Sequence, residues 1–295
     1  MSGLTYRHQR VQRLRRLLGR RSARREEGRF VIEGLNLLEE AVSSGAAVEA
    51  VYVDADWATG APARAVGGEE DAPWGLAPGE DGPQRQQRLA ALLARCYDMG
   101  TRVFELERGV LARVAGTVSP QPVMAVVEVP ACSVADVGTG RPSLVVVCVD
   151  VRDPGNAGTV VRSAWAAGAD AVLCADGTVD VWNPKAVRAS AGAVLHVPVV
   201  AGGPAPELLA MVARWGMRRL GAVSTGGRDY ATVDLVPPCA FVLGNEASGL
   251  PLAEVGDQLD ELVTVPMPGG AESLNVGMAA AVLCFEAARQ RRLGR

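Results

Sequence analysis

Three polar clusters, far apart in the chain, carry the residue types that hold and orient a ligand. They are Asp153-Pro154-Gly155-Asn156-Ala157-Gly158-Thr159-Val160-Val161-Arg162, then Leu243-Gly244-Asn245-Glu246, and last Pro266-Met267 followed by Ser273-Leu274-Asn275-Val276. Each joins a β-branched run to glycines and a few polar groups, the composition expected where the strand ends of a parallel sheet fold over a ligand. Taken singly, each has an ordinary structural role. Asn156 stands where a helix N-cap belongs, Arg162 reads as a surface charge, Glu246 as a loop carboxylate, and Ser273 or Glu272 as a cap of the last helix. Their order and spacing carry the functional signal.

The elements that must position them can be read from the apolar pattern. From Leu144 onward strands are expected near 144–150, 170–174, 194–200, 219–224, 239–243 and 261–265, alternating with helices near 156–168, 205–216 and 272–291. That alternation predicts an α/β fold, a parallel sheet with helices on both faces. Upstream, a strand ending at Glu33-Gly34 leads into a helix over 35–43. A strand at 51–53, a helix over 89–99, and strands at 102–106 and 122–129 follow. Together they make a small α/β domain.

With the elements in place, the three clusters match in order and spacing the motifs of a known family. The sequence from Leu144 to about Arg291 resembles the SpoU (TrmH) family of RNA ribose 2′-O-methyltransferases, in the SPOUT superfamily. The stretch from Trp182 to Gly192 is similar to the family's loop and helix after the second strand. Arg29 to Ala41 resembles the opening of a substrate-binding domain with a ribosomal-protein-like fold. The resemblance implies a C-terminal SPOUT domain with a deep trefoil knot, one of the rare exceptions to unknotted folding. It implies S-adenosylmethionine as cofactor, held by Leu243, Gly244, Val265, Met267 and Leu274, with Thr225 at an adjacent strand end. Arg162, Asn156, Glu246, Ser273 and Asn275 are the implied catalytic set, with Arg162 activating the ribose hydroxyl. Implied too are RNA as substrate, ribosomal RNA first and transfer RNA second, and a homodimer.

Charge is uneven along the chain. Residues 1–29 hold ten arginines against Glu26 and Glu27, a charge of +8, which leaves −11 to the rest of a 295-residue chain whose net charge is −3. A basic arm on an acidic body is expected to attract a phosphate backbone, with Arg10, Arg13, Arg16, Arg20 and Arg24, and in the catalytic domain Lys185 and Arg188, as RNA contacts. Val11, Leu14 and Leu17-Leu18 recur at helical spacing among these arginines, so part of the arm should be an amphipathic helix. The expected organisation is an arm over 1–29, an RNA-binding domain over 30–130 with a mobile insertion at 54–88, a linker over 131–142 and the catalytic domain over 143–295.

Composition removes other classes. The chain is 48% hydrophobic with no apolar run long enough for a membrane helix and no signal-peptide pattern, so a cytoplasmic protein is expected. Six scattered cysteines without a Cys-x-x-Cys pair read as reduced and buried, and two histidines offer little for a metal centre, so no metal is expected. No Gly-x-Gly-x-x-Gly follows the first strand of the catalytic domain, which argues against a dehydrogenase. Two alternatives stay open: a base methyltransferase on a related knotted fold, and a catalytically silent RNA-binding protein acting in ribosome assembly.

Overall fold

The computed structural model describes residues 3–55, 82–115 and 121–294, which fall into two compact units. The first covers Met1–Val129 together with Trp182–Pro184, and the second Pro130–Val181 together with Lys185–Arg295.

The first unit begins with the arginine-rich segment, which folds as two helices, α1 (Gln9–Gly19) and α2 (Arg21–Glu27). On α1 the arginines stay outside while Val11, Leu14 and Leu17 are fully buried, as the apolar stripe predicts. They pack with Val31, Tyr52, Leu106 and Met124, so this segment is part of the unit's core. Gly28 ends α2 in the left-handed conformation at φ 60°, and β1 (Arg29–Glu33) follows. After α3 (Leu35–Ser43) come β2 (Val48–Asp54), α4 (Gly82–Asp98), β3 (Arg102–Leu106), α5 (Val110–Ala115) and β4 (Val123–Glu128). The sheet order is β1-β4-β2-β3, with only β2 and β3 parallel.

Two expectations need correction here. The 54–88 insertion lies outside the described residues over 56–81, but its last part is helical: α4 starts at Gly82, seven residues before the expected Leu89. Within the expected linker, α6 (Val134–Thr139) forms because Ser133 and Asp136 close a capping box, Ser133 N donating to Asp136 Oδ2 at 2.8 Å.

The second unit holds β5 (Leu144–Cys148), α7 (Pro154–Ala166), β6 (Ala171–Cys174), α8 (Pro184–Ala189), β7 (Val199–Ala201), α9 (Ala205–Arg214) and β8 (Arg218–Ala222). It continues through β9 (Arg228–Asp229), β10 (Cys239–Leu243), α10 (Leu252–Val255), β11 (Glu261–Thr264) and α11 (Val276–Leu293). Its seven strands run parallel in the order β7-β6-β5-β10-β8-β11-β9. The central strands β5 and β10 are buried throughout, which is why they read as unbroken apolar runs. The strand expected at 194–200 is a 3-10 turn over Ala193–Leu195 after the left-handed Gly192, and pairing starts only at Val199. Pro198 has no amide to give a ladder, which delays it. All six cysteines are free, and five are buried. Among the described residues no helix is long and apolar enough to cross a membrane.

Candidate active site at the strand ends of the parallel sheet

The three sequence clusters meet beyond the carboxyl ends of β5, β10 and β11, where a parallel sheet offers a crevice. A cleft of about 580 Å³ opens there, and Leu243, Gly244, Val265, Met267 and Leu274 all line it, as do Asn156, Glu246, Ser273 and Asn275.

One hydrogen-bonded chain links the clusters. Asn156 Nδ2 donates to Glu246 Oε1 at 2.9 Å, and Asn275 Nδ2 donates to Asn156 Oδ1 at 2.8 Å. The Glu246 carboxylate also accepts the amides of Arg152 at 3.1 Å and Asp153 at 3.0 Å. Partial burial pushes the Glu246 carboxyl up, but the Asn156 amide and the two backbone N–H groups outweigh it and hold the group below its ordinary range. Glu246 is therefore an anchored anion that organises the loop after β5, with its acceptor capacity largely filled.

Asn275 is the N-cap of α11, its Oδ1 accepting Gly277 N at 2.9 Å and Met278 N at 3.3 Å. The helix thus starts at Val276, four residues later than expected, and neither Ser273 nor Glu272 caps it. Ser273 is exposed, and its hydroxyl makes no hydrogen bond among the described residues. Gly277 lets α11 approach α7: a Cβ there would lie 2.7 Å from Thr159 Cγ2.

On α7 the cap is Asp153, whose Oδ1 accepts Asn156 N at 3.0 Å, so Asn156 itself is free of the capping role assigned to it from sequence. An Asp directly before a Pro at the first helical position was the available signal. Lys185 Nζ pairs with Asp153 Oδ2 at 2.8 Å, and this ion pair with the Asn156 amide draws the Asp153 carboxyl below its ordinary range. Arg162, two turns along α7, is exposed and forms no hydrogen bond or ion pair among the described residues.

Gly244 needs its missing side chain for a reason the sequence did not suggest. A Cβ there would stand 2.4 Å from the backbone of Gly249 and Leu250, so the glycine closes its own loop rather than clearing room for a ligand. Asn245 N donates to Gly249 O at 3.0 Å and Gly249 N to Asn245 O at 2.9 Å across that turn. Thr225 lies in the exposed turn after β8 and is not among the residues lining the cleft, where Ser224 stands instead. Sequence reasoning also missed Asp150: in the left-handed region at φ 59°, it accepts Asn245 Nδ2 through its carbonyl at 3.0 Å and Arg152 Nε through Oδ1 at 2.8 Å. An acid at the C-terminal end of a buried strand was its only signal.

The proposed RNA-contacting arginines of the N-terminal segment divide in two. Arg24 is 4% exposed and donates to the Leu17 and Leu18 carbonyls at 2.5 and 3.1 Å, satisfying the end of α1, so it cannot meet a phosphate. Arg13 is engaged by Glu49, with one contact at 3.0 Å, and by Glu27 at 2.5 Å, which raises its own pKa and lowers that of Glu49. Arg16 pairs with Glu27 at 3.0 Å, and Arg10 lies over the Phe104 ring at 4.5 Å. Arg20 is exposed, as are Lys185 and Arg188 in the second unit.

Comparison with known proteins agrees with this geometry. Residues 143–285 match the SpoU rRNA methylase family and residues 8–125 the MRM3-like substrate binding domain. The 23S rRNA (guanosine(2553)-2′-O)-methyltransferase RlmP of Bacillus subtilis (strain 168) is 30% identical over 256 residues, 87% of each chain. The 23S rRNA (uridine(2479)-2′-O)-methyltransferase of Streptomyces viridochromogenes is 29% identical over 297 residues, 99% of this chain and 93% of that one. The AdoMet-bound rRNA methyltransferase of Sinorhizobium meliloti superposes with a TM-score of 0.77 at 26% identity, covering 96% of this chain and 95% of that chain. With its parallel sheet, its three clusters gathered at one cleft and relatives spanning nearly its whole length, the chain belongs to the SpoU rRNA methylase family.

Proposed function

We propose that this protein transfers a methyl group from S-adenosylmethionine to a ribose 2′-hydroxyl of ribosomal RNA. The observation that carries the reading is the convergence of Asn156, Glu246 and Asn275, one from each cluster, in a single hydrogen-bonded chain beside the cleft. The two relatives named above act on 23S rRNA at different nucleotides, guanosine 2553 and uridine 2479.

The cleft suits the cofactor chemically. Leu243, Val265, Met267 and Leu274 give it an apolar wall, and its only charged lining groups among the described residues are the carboxylates of Glu246 and Glu272. A cationic sulfonium is favoured in such a site. When bound, S-adenosylmethionine supplies an already activated methyl group, leaving orientation and deprotonation of the acceptor to the protein. Glu246 and Asn275 fix the loops after β10 and β11 on the start of α7. The exposed, unengaged Arg162 presents a cation that holds the phosphate and hydroxyl of the target nucleotide. A free arginine has a pKa of about 12.5 or more, and keeping it neutral at pH 7 would cost on the order of 7 kcal/mol. Arg162 therefore serves by positioning, with an RNA phosphate or another neighbour taking the 2′ proton.

The reading extends to the whole chain. The first unit, including its arginine-rich helices, binds RNA, and the second carries the cofactor in a knotted domain. Arg291, near the end of α11, donates to the Ser143 carbonyl at 2.8 Å, which ties the C-terminal helix to the start of β5. Met278 and Phe285, seven residues apart on α11, are 55% and 51% exposed, an apolar face suited to a second copy in a homodimer. A ribosomal RNA substrate is consistent with a cytoplasmic protein. Incubation of ribosomal RNA with labelled S-adenosylmethionine, followed by digestion to nucleosides, tests the assignment. A 2′-O-methylated nucleoside supports it, whereas a base-methylated nucleoside, or no product, refutes it.

A further inference from the structure

The arginine-rich segment was expected to meet RNA through Arg10, Arg13, Arg16, Arg20 and Arg24, yet most of these are held by carboxylates, carbonyls or a ring. Another group of cations gathers elsewhere in the unit. A second cleft, of about 820 Å³, lies wholly within the first unit between the chain start before α1 and the β3–α5 loop. Arg7, Arg15, Arg108 and Arg113 line it with Glu107 as the one acid, a local charge of +3. Arg7, Arg15 and Arg113 have no carboxylate partner among the described residues. The Tyr6 ring sits between two of them, with the Arg113 guanidinium carbon 3.9 Å and that of Arg15 4.9 Å from its centroid. Such cation–π contacts hold guanidinium groups in place without neutralising them, and Arg15 also donates Nη1 to Gln12 Oε1 at 3.1 Å.

We propose that this cleft is a binding site for the RNA phosphodiester backbone, through the guanidinium groups of Arg7, Arg15 and Arg113. Arginine forks grip phosphate oxygens in pairs, and a cluster on one rigid wall engages successive phosphates of a strand. The Tyr6 ring serves as the spacer that keeps two of these forks apart. A free anion would need only one fork, whereas three around one cleft match a polyanion. This inference rests on the methyltransferase reading for the identity of the polyanion as RNA.

The test compares two double variants of the full chain, equal in charge. Arg7→Gln with Arg113→Gln removes two cations of the cleft, and Arg95→Gln with Arg214→Gln removes two exposed cations outside it. Binding of a fluorescein-labelled single-stranded RNA oligomer of mixed sequence is followed by anisotropy between about 50 and 200 mM salt. Each phosphate contact contributes about 0.7 to the slope of log affinity against log salt, so losing two should flatten it by about 1.4, which over that fourfold salt range changes the ratio of variant to wild-type affinity about 7-fold. The Arg95/Arg214 variant should keep nearly the wild-type slope. An equal loss in both variants, or no loss in the cleft variant, overturns the proposal. Calorimetry with S-adenosylmethionine separates the two levels of inference. Cofactor binding in wild type and variant together with an unchanged salt slope would sink the cleft alone, whereas no cofactor binding by the wild type would sink the methyltransferase reading beneath it.

Discussion

Replacing Asn156 by Ala should loosen the active site without unfolding the domain that carries it. The substitution removes two hydrogen bonds, the one donated to Glu246 at 2.9 Å and the one received from Asn275 at 2.8 Å. A net hydrogen bond contributes about 0.5–1.5 kcal/mol, and solvent exposure keeps the bond to the Glu246 carboxylate from exceeding that range, so the linkage between clusters loses about 1–3 kcal/mol. Helix α7 keeps its cap because Asp153 provides it. The loss should appear in cofactor affinity, about 5- to 150-fold by titration calorimetry, with methyl transfer falling at least as far. Asn156→Asp should do worse than Ala, because a second carboxylate would face Glu246. Wild-type affinity and turnover in Asn156→Ala would refute the idea that this chain of amides assembles the site.

Other outcomes follow from the same geometry. Arg162→Ala should leave the melting temperature within about 2 °C of wild type, since the side chain is exposed and unengaged, while turnover collapses and cofactor affinity holds; equal losses of both would make Arg162 a cofactor ligand. Gly244→Ala should abolish cofactor binding by forcing open the Asn245–Gly249 turn, at a cost of about 1–3 kcal/mol in thermal unfolding, and a variant with normal affinity would show the loop tolerates the Cβ. Asp153 and Glu246 both have carboxyl groups held below their ordinary range in the folded protein, so each contributes stability that is complete above its unfolded pKa and is lost as pH falls through the lowered one. Unfolding in denaturant should therefore become easier below about pH 4, and Asp153→Asn should flatten that decline; an unchanged decline would assign acid lability to other carboxylates.

Much of this architecture was legible because burial writes itself into sequence. The strands at Leu144–Cys148 and Cys239–Leu243 are covered on both faces and can only be apolar, so the second was placed as observed and the first to within two residues of its end. What sequence did not reveal was how polar groups choose partners. Asn156 looked like a cap because caps and site residues are the same residue types, and only the fold shows Asp153 in that role and Asn156 facing Glu246. Gly244 was expected to make room for a ligand, and the structure gives the room to Gly249 and Leu250. The arginine-rich helices misled in the same way. Charge density was visible, but Glu49, thirty-six residues from Arg13, neutralises part of it through a contact that no local pattern encodes. The basic cleft around Tyr6 depends on a β3–α5 loop about a hundred residues away in the chain, so no local pattern could reveal it.

The central claim, that this chain methylates a ribose hydroxyl, meets its most direct test in the chemistry of the product. A 2′-O-methyl group blocks alkaline cleavage of the adjoining phosphodiester, because the hydroxyl that would attack it is gone. Ribosomal RNA from cells with and without the gene, partly hydrolysed in alkali and sequenced, should differ at a position protected only when the gene is present, and purified protein with S-adenosylmethionine should restore that protection to RNA from the deletion strain. Identical cleavage profiles in the two strains, with no protection restored by the protein, would contradict the account.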